Sequence, residues 1–158
     1  MAKPKVMVAI RDPESVESLV KLGCEMAAAM GADLTALHVL EVGPGLPLDA
    51  DGSLERTGRE ILVRAQEAAN KHGMPINALL VRARQAGPRI VVGAEDYRID
   101  LLILGYHGSH GPGEILLGST VKYVARHSPC RMIVQVPAAS QKKVAEARRT
   151  QAVGVPLG

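Results

Sequence analysis

The chain has 158 residues, which suits one domain of ordinary size, and its formal net charge of +3 is mild. Although 47% of its residues are hydrophobic, it contains no Phe, no Trp and only three Tyr. Because single-stranded nucleic-acid binders usually stack bases on aromatic side chains, this composition argues against that class and predicts an aliphatic core.

Apolar runs alternate with helical patterns along the whole chain. The predicted elements, in order, are a strand at 5–10, a helix at 12–31, a strand at 34–40, a helix at 53–73, a strand at 76–82, a helix at 88–98, a strand at 100–105, a helix at 119–127 and a strand at 131–136. Asp12 followed by Pro13 is typical of a helix N-cap and first helical position. Gly31 and Gly73 are typical helix stops.

The predicted strands are continuous apolar runs, which is typical of a parallel sheet covered on both faces. With right-handed crossovers, this order gives an α/β fold: an open, doubly wound sheet of five parallel strands with helices on both faces, Rossmann-like in architecture. Ligands of such folds bind beyond the carboxyl ends of the strands, where the strand order reverses. The loops after the first and fourth strands, at 11–13 and 105–120, therefore form the candidate site.

Two segments fall outside the alternation of strands and helices. The Gly- and Pro-rich stretch at 41–52 is the longest structureless segment within the domain and is a candidate lid. The basic segment at 138–158 is predicted to be a solvated tail, flexible or partly helical, rather than an arm for nucleic acid or membrane. The predicted domain therefore covers residues 1–137.

The sequence also bears on location. It has no apolar run of about 20 residues, as a membrane span requires, and its N-terminus is too short and mixed for a signal peptide. Cys24 and Cys130 lack CxxC spacing, so we expect free thiols in a reducing compartment. These features predict a cytoplasmic protein without membrane insertion.

The loop GYHGSHGPGEILLGST, at 105–120, has the composition of a phosphate-binding loop. It is not a P-loop, because Ser119 stands where the lysine of that motif would follow Gly118. Gly105 and Gly108 allow the backbone to approach a ligand closely. The unpaired N–H groups at the start of the next helix favour an anion, so the loop predicts an anion site without lysine.

The spacing G-x2-G-x9-G-[ST], met by Gly105, Gly108, Gly118 and Ser119, resembles the universal stress protein family, specifically its ATP-binding branch. The resemblance covers about residues 3–137 and implies a fold like that of the adenine-nucleotide alpha hydrolases. It implies a nucleotide-binding stress or regulatory module that binds ATP, or another adenine nucleotide such as AMP, and Mg²⁺ can accompany the nucleotide. It also implies a homodimer joined through 131–136 and a regulatory protein partner of unknown identity.

The resemblance implies the nucleotide-binding residues as well. The ribose and phosphates would rest on the glycine loop and helix start, at Gly105, Gly108, Gly118, Ser119 and Thr120. The adenine would lie near Ala9 and Val39, with Leu104 beneath the nucleotide. Apart from the resemblance, His107 is a loop residue that lies either near the phosphates or on the plain surface.

The chain departs from the family pattern just after the first strand. The family usually has an aspartate there, whereas this chain has Arg11 in the straight register and Asp12 one place later. Either Asp12 serves the nucleotide, or it caps the helix and Arg11 lines the pocket. Arg11 would then pair with a phosphate, alter base preference or fill the site. A nucleotide-free interaction module is therefore the main alternative.

Catalysis is expected to be absent or at most a slow ATPase activity. Ser119 has no G-x-S-x-G context, and Glu114 is interpreted as a solvated loop residue, so no catalytic residue is assigned. His107 and His110 are three residues apart without a further ligand, so no metal site is assigned either. His38, within the second strand, is predicted to be a packed or hydrogen-bonded core residue.

Overall fold

The computed structural model describes residues 2–49, 52–106, 110–111, 114–115, 117–137 and 145–150. Its elements in chain order are β1 (Lys5–Ala9), a 3-10 turn (Pro13–Ser15), α1 (Val16–Met30), β2 (Asp33–Glu41), α2 (Gly52–Lys71), β3 (Ile76–Ala83), α3 (Ala86–Asp96), β4 (Leu101–Gly105), β5 (His110–Gly111), β6 (Glu114–Ile115), α4 (Ser119–His127) and β7 (Arg131–Gln135). Residues 145–150 are helical.

Five strands form one parallel sheet in the order β3-β2-β1-β4-β7. β1 lies at the centre, where Ala9 is in register with Leu37 of β2 on one side and Leu104 of β4 on the other. The chain runs outward from β1 to β3 and then crosses back to β4 and β7, so the strand order reverses between β1 and β4. The predicted doubly wound α/β fold is confirmed.

Each face of the sheet has its own apolar core. Buried side chains of α1 and α2 pack on one face, against Val6, Val8 and Ile103 among others. α3 and α4 pack on the other face, against Met7, Leu102 and Leu104 among others. The strands alternate their side chains between these two layers, which explains why the central strands are apolar at every position.

The main differences from the predicted elements occur at helix starts and in the glycine loop. α1 begins at Val16, after a 3-10 turn that follows Asp12, and the Asp12 side chain makes no capping hydrogen bond. α3 begins at Ala86, two residues before Pro88. Within the loop at 105–120, β5 and β6 form a short antiparallel pair that apolar periodicity does not reveal. Gly31 ends α1 with a φ of 63°, as predicted.

Candidate functional site

A cavity of 310 Å³ opens at the carboxyl-terminal edge of the sheet, beyond the ends of β1, β2 and β4. The residues that line it are 9–13, 37–41, Leu54, Thr57, Ile61, Ala86, Ile90, Leu104, Gly105, Thr120 and Val121. Its volume lies at the lower end of the range of about 300–1,000 Å³ that is usual for small-molecule sites. Its position is that of the ligand site in doubly wound sheets.

Seven of the eleven residues proposed from the sequence line this cavity: Ala9, Arg11, Asp12, Val39, Leu104, Gly105 and Thr120. Gly118 and Ser119 are not among the lining residues, but they are the N-cap and first residue of α4, directly before Thr120. His107 and Gly108 lie outside the residues that the structure describes. The fold therefore brings the loop after β1, the end of β2 and the start of α4 together.

Several lining residues come from elements that carry no recognisable motif. Leu54, Thr57 and Ile61 come from α2, and Ala86 and Ile90 come from α3. Their place in the wall depends on how the two helices pack across the ends of the strands, which sequence spacing does not specify. Ile61 and Ile90 were detectable only as members of apolar helix faces.

The start of α4 borders the cavity. Gly118 precedes the helix with extended backbone, and Thr120 and Val121, in its first turn, reach the cavity wall. Within the nine-residue helix, the N–H groups of the first turn have no carbonyl partner. They and the helix dipole favour a negatively charged group at this end of the cavity.

Arg11 supplies a positive charge to the lining. Its side chain is exposed, and within the described chain it forms no hydrogen bond or ion pair. Arg11 is one of the residues that line the cavity. A free cation and the first turn of α4 thus border the same space.

Glu41 and Arg84 fix the chain at the end of β2. Oε1 of Glu41 accepts a hydrogen bond from the N–H of Ala86 at 3.1 Å, so this carboxylate caps the start of α3. Nη1 of Arg84 donates to the carbonyl oxygen of Gly43 at 2.7 Å and, more weakly, to that of Val42 at 3.4 Å. These bonds hold the beginning of the 42–49 loop beside the cavity.

Arg82 holds the other end of this loop. Its Nη1 donates to the carbonyl oxygen of Leu48, and its Nη2 forms an ion pair of 2.8 Å with Glu55 of α2. Leu54, one residue before Glu55, lies in the cavity wall. The described part of the candidate lid, residues 42–49, is therefore fastened by Arg82 of β3 and by Arg84, which follows β3.

Other surfaces of the described chain are less suited to a small ligand. A larger depression, of 730 Å³, runs along the exposed face of α2 and is lined, as far as the chain is described, by that helix alone. In the described ranges, no group of His, Cys, Asp and Glu side chains is placed to hold a metal ion. Nor does any helix there combine the length and apolar character needed to cross a membrane.

The two cysteines lie apart from the cavity and are poorly suited as nucleophiles. Burial raises the pKa of the Cys24 thiol, and the nearby charge of Glu25 raises it further. Burial also raises the pKa of Cys130, against a smaller opposing effect of the hydrogen bond with Ser128. Both thiols are therefore mainly protonated near neutral pH, and neither is part of the candidate site.

Comparison with known proteins places this geometry in a family. The model of the universal stress protein family matches residues 4–137. The chain belongs to the universal stress protein family. A universal stress protein of Methanocaldococcus jannaschii is 30% identical over 121 residues, which cover 72% of this chain and 71% of that protein.

Solved structures of universal stress proteins share the fold. One, determined in complex with cAMP, has a TM-score of 0.64 at 25% identity and covers 86% of this chain and 98% of its own. Another, from Archaeoglobus fulgidus in complex with dAMP, has a TM-score of 0.68 at 20% identity and covers 85% of this chain and 98% of its own. The family predicted from the glycine spacing and the element order is confirmed.

Proposed function

We propose that this universal stress protein binds an adenine nucleotide in the cavity beyond β1, β2 and β4 and acts as a stress-response or regulatory module. The observation that carries the proposal is the cavity itself, which joins apolar walls to the open start of α4. The complexes of its structural relatives with cAMP and dAMP support an adenine nucleotide as the ligand class. Occupancy of the site, rather than fast chemistry, would carry the signal.

Arg11 and the start of α4 make a suitable place for the phosphates. Both border the cavity, and both favour negative charge. ATP is our proposed ligand because its additional phosphates would extend from α4 toward the guanidinium, with Mg²⁺ as an accompanying ion. Because a cavity of 310 Å³ is present with Arg11 in its lining, the nucleotide-free module in which Arg11 fills the site is the less well supported reading.

A release experiment tests the proposal most directly. The purified full chain is denatured, and any released nucleotide is identified by chromatography and mass spectrometry. The chain is also titrated with ATP, AMP and adenosine by calorimetry, each with and without Mg²⁺. We expect saturable binding of at least one adenine nucleotide. If the chain releases no nucleotide and binds none, the proposal is refuted. Slow conversion of ATP to ADP in the same samples would indicate an ATPase.

Arg11→Ala tests the role of the free guanidinium. We expect this change to weaken ATP binding about 3- to 10-fold, because one charge-assisted contact to phosphate is lost. Adenosine, which has no phosphate, should bind to both proteins equally. Arg56→Ala is the matched control, since Arg56 is an exposed α2 arginine outside the cavity wall. Tighter ATP binding by Arg11→Ala would show that Arg11 obstructs the site.

The remaining parts of the proposal concern assembly and location. We propose a homodimer joined along β7, which is an edge strand of the sheet, and a regulatory protein partner that responds to nucleotide occupancy. We also propose a cytoplasmic location, which is supported by the two free cysteines, Cys24 and Cys130. Fractionation of cells that express the tagged chain would test the location.

A further inference from the structure

His38 is a polar side chain within the cavity wall that the proposed function leaves without a role. It is only 7% exposed, although it lines the cavity at the end of β2. Its neighbours Leu37 and Val39 pack with the core on the α3 and α4 side. Because side chains alternate along a strand, His38 projects toward α2, where Leu54, Thr57 and Ile61 also line the cavity.

One edge of the His38 ring is fixed by β1. Nδ1 lies 2.7 Å from the carbonyl oxygen of Ile10. A carbonyl oxygen can only accept a hydrogen bond, so Nδ1 carries the proton and donates it. In the neutral ring, Nε2 then has no proton and presents a lone pair, which is an acceptor.

The opposite edge of the ring is fixed by α2. A Cβ atom placed on Gly58 would lie 2.9 Å from Cδ2 of His38, so the ring already presses closely on the helix backbone. Nδ1 and Cδ2 are the two ring atoms bonded to Cγ, and each faces a different element. The ring therefore extends away from β2 with Cε1 and Nε2 at its free end.

Nε2 has no partner among the residues that the structure describes. Apart from the bond to Ile10, the ring makes no hydrogen bond in the described part of the chain. In the described residues, the fully buried side-chain nitrogen or oxygen atom without a hydrogen-bond partner is Oε1 of Gln135. Nε2 of His38 also lacks a partner but is not in that class, so it is not fully buried and stays accessible. His38 is therefore a largely buried side chain whose one accessible acceptor, Nε2, is left for a ligand in the cavity.

We propose that Nε2 of His38 accepts a hydrogen bond from an N–H or O–H group of the nucleoside part of the ligand. This inference rests on the proposed function, since it names the group that the same cavity recognises. The lone pair of Nε2 disfavours phosphate oxygens, which are also acceptors. Leu40, Leu54 and Ile61 add apolar side chains to the lining of the same cavity. The nucleoside would therefore face β2 and α2, and the phosphates would face α4 and Arg11.

Two groups of an adenine nucleotide can supply this donor, namely the 6-amino group of the base and a ribose hydroxyl. Calorimetry of the full chain with AMP, purine riboside 5′-monophosphate, 2′-deoxy-AMP and 3′-deoxy-AMP distinguishes them. We expect the loss of one donor to weaken binding about 3- to 10-fold, and the analogue concerned identifies the group.

His38→Asn is the decisive variant, because its side-chain amide can keep the bond to Ile10 while the acceptor at the Nε2 position is removed. We expect it to bind AMP and the weakened analogue with equal affinity. The amide oxygen of His38→Gln reaches the Nε2 position, so this variant should keep part of the preference for AMP over the weakened analogue. If His38→Asn does not fold, His38→Gln provides the test.

The outcomes separate this inference from the proposed function. Binding of AMP by the wild-type chain with no preference among the four nucleotides overturns the role of His38 alone. The role of His38 is also overturned if His38→Asn keeps the full wild-type preference for AMP over the weakened analogue. It is overturned likewise if His38→Gln folds but shows no such preference. Absence of nucleotide binding by the wild-type chain overturns the proposed function itself.

Discussion

Gly58 and Gly93 are helical glycines that face the sheet from opposite sides, and their surroundings differ. A Cβ atom on Gly58 would lie 2.8 Å from Cδ1 of Leu80 and 2.9 Å from both Leu40 and His38. A Cβ atom on Gly93 would meet only Cδ2 of Leu37, at an ordinary 3.7 Å. The first glycine is required by close packing, whereas the second leaves room for a methyl group.

We therefore expect opposite effects of the same substitution. Gly58→Ala should lower the free energy of unfolding by about 1–3 kcal/mol, because the added methyl group overpacks the α2–sheet contact. Gly93→Ala should raise it by about 0.5–1 kcal/mol, because alanine restricts the unfolded chain and favours the helix. Urea denaturation monitored by circular dichroism measures both. Stabilisation by Gly58→Ala would show that the packing at α2 is looser than the structure indicates.

At the scale of elements, α1 and α2 are joined by an ion pair on the surface. Nη2 of Arg64 lies 2.8 Å from Oε1 and 3.1 Å from Oε2 of Glu17. The hydrogen bond from Arg64 lowers the pKa of Glu17. A carboxylate whose pKa is lower in the folded state contributes stability above its unfolded pKa of about 4.3, and this contribution is lost as the pH falls.

Glu17→Gln tests this pair. Because both side chains are about half exposed, we expect a loss of only about 0.3–0.5 kcal/mol at pH 7 and low salt. The difference from the wild type should disappear in about 1 M salt and at a pH below the folded-state pKa of Glu17. Glu67→Gln is the matched control, because Glu67 is exposed on α2 and makes no ion pair with any described residue. An equal loss from both substitutions at pH 7 would contradict the role of the pair.

The elements themselves were largely predictable from the sequence, because apolar runs and glycine stops act locally. Every predicted strand and helix is present, and most of the bounds agree within about two residues. The start of α1 is the clearest exception. Asp12 and Pro13 have the sequence of a cap, yet the chain first forms a 3-10 turn and the α-helix begins at Val16. The apolar pattern of the sequence does not indicate this 3-10 turn.

The candidate site was predictable only in part. Topology placed the strand ends and the loop after β1 at one edge, and Ala9, Arg11 and Leu104 do lie together there. The contributions of α2 and α3 depend on helix packing across the sheet, so Thr57 and Ala86 carried no signal. His38 was predicted as a packed or hydrogen-bonded residue, and its bond to Ile10 confirms this. Which ring nitrogen stays unpaired required the three-dimensional contacts.

At the scale of the whole molecule, the two edges of the sheet differ. β3 forms one edge; Asn77 and Ala78 near its start are exposed, and Leu79, Leu80 and Val81 are partly buried. β7 forms the other edge, and its apolar residues Met132, Ile133 and Val134 are each only partly buried. An edge strand with apolar side chains left partly in water favours pairing with another strand. A second copy of β7 would cover these side chains symmetrically.

The proposed dimer can be tested by sedimentation equilibrium, which should give twice the mass of the chain at micromolar concentration. Val136→Lys, just after β7, should shift the equilibrium toward monomer, because a two-fold axis brings its positive charge close to that of the second copy. Ala78→Lys adds the same charge to the opposite edge and should leave the dimer unchanged. Thermal unfolding of both variants checks that they fold. Dissociation by Ala78→Lys but not by Val136→Lys would place the interface on β3 instead.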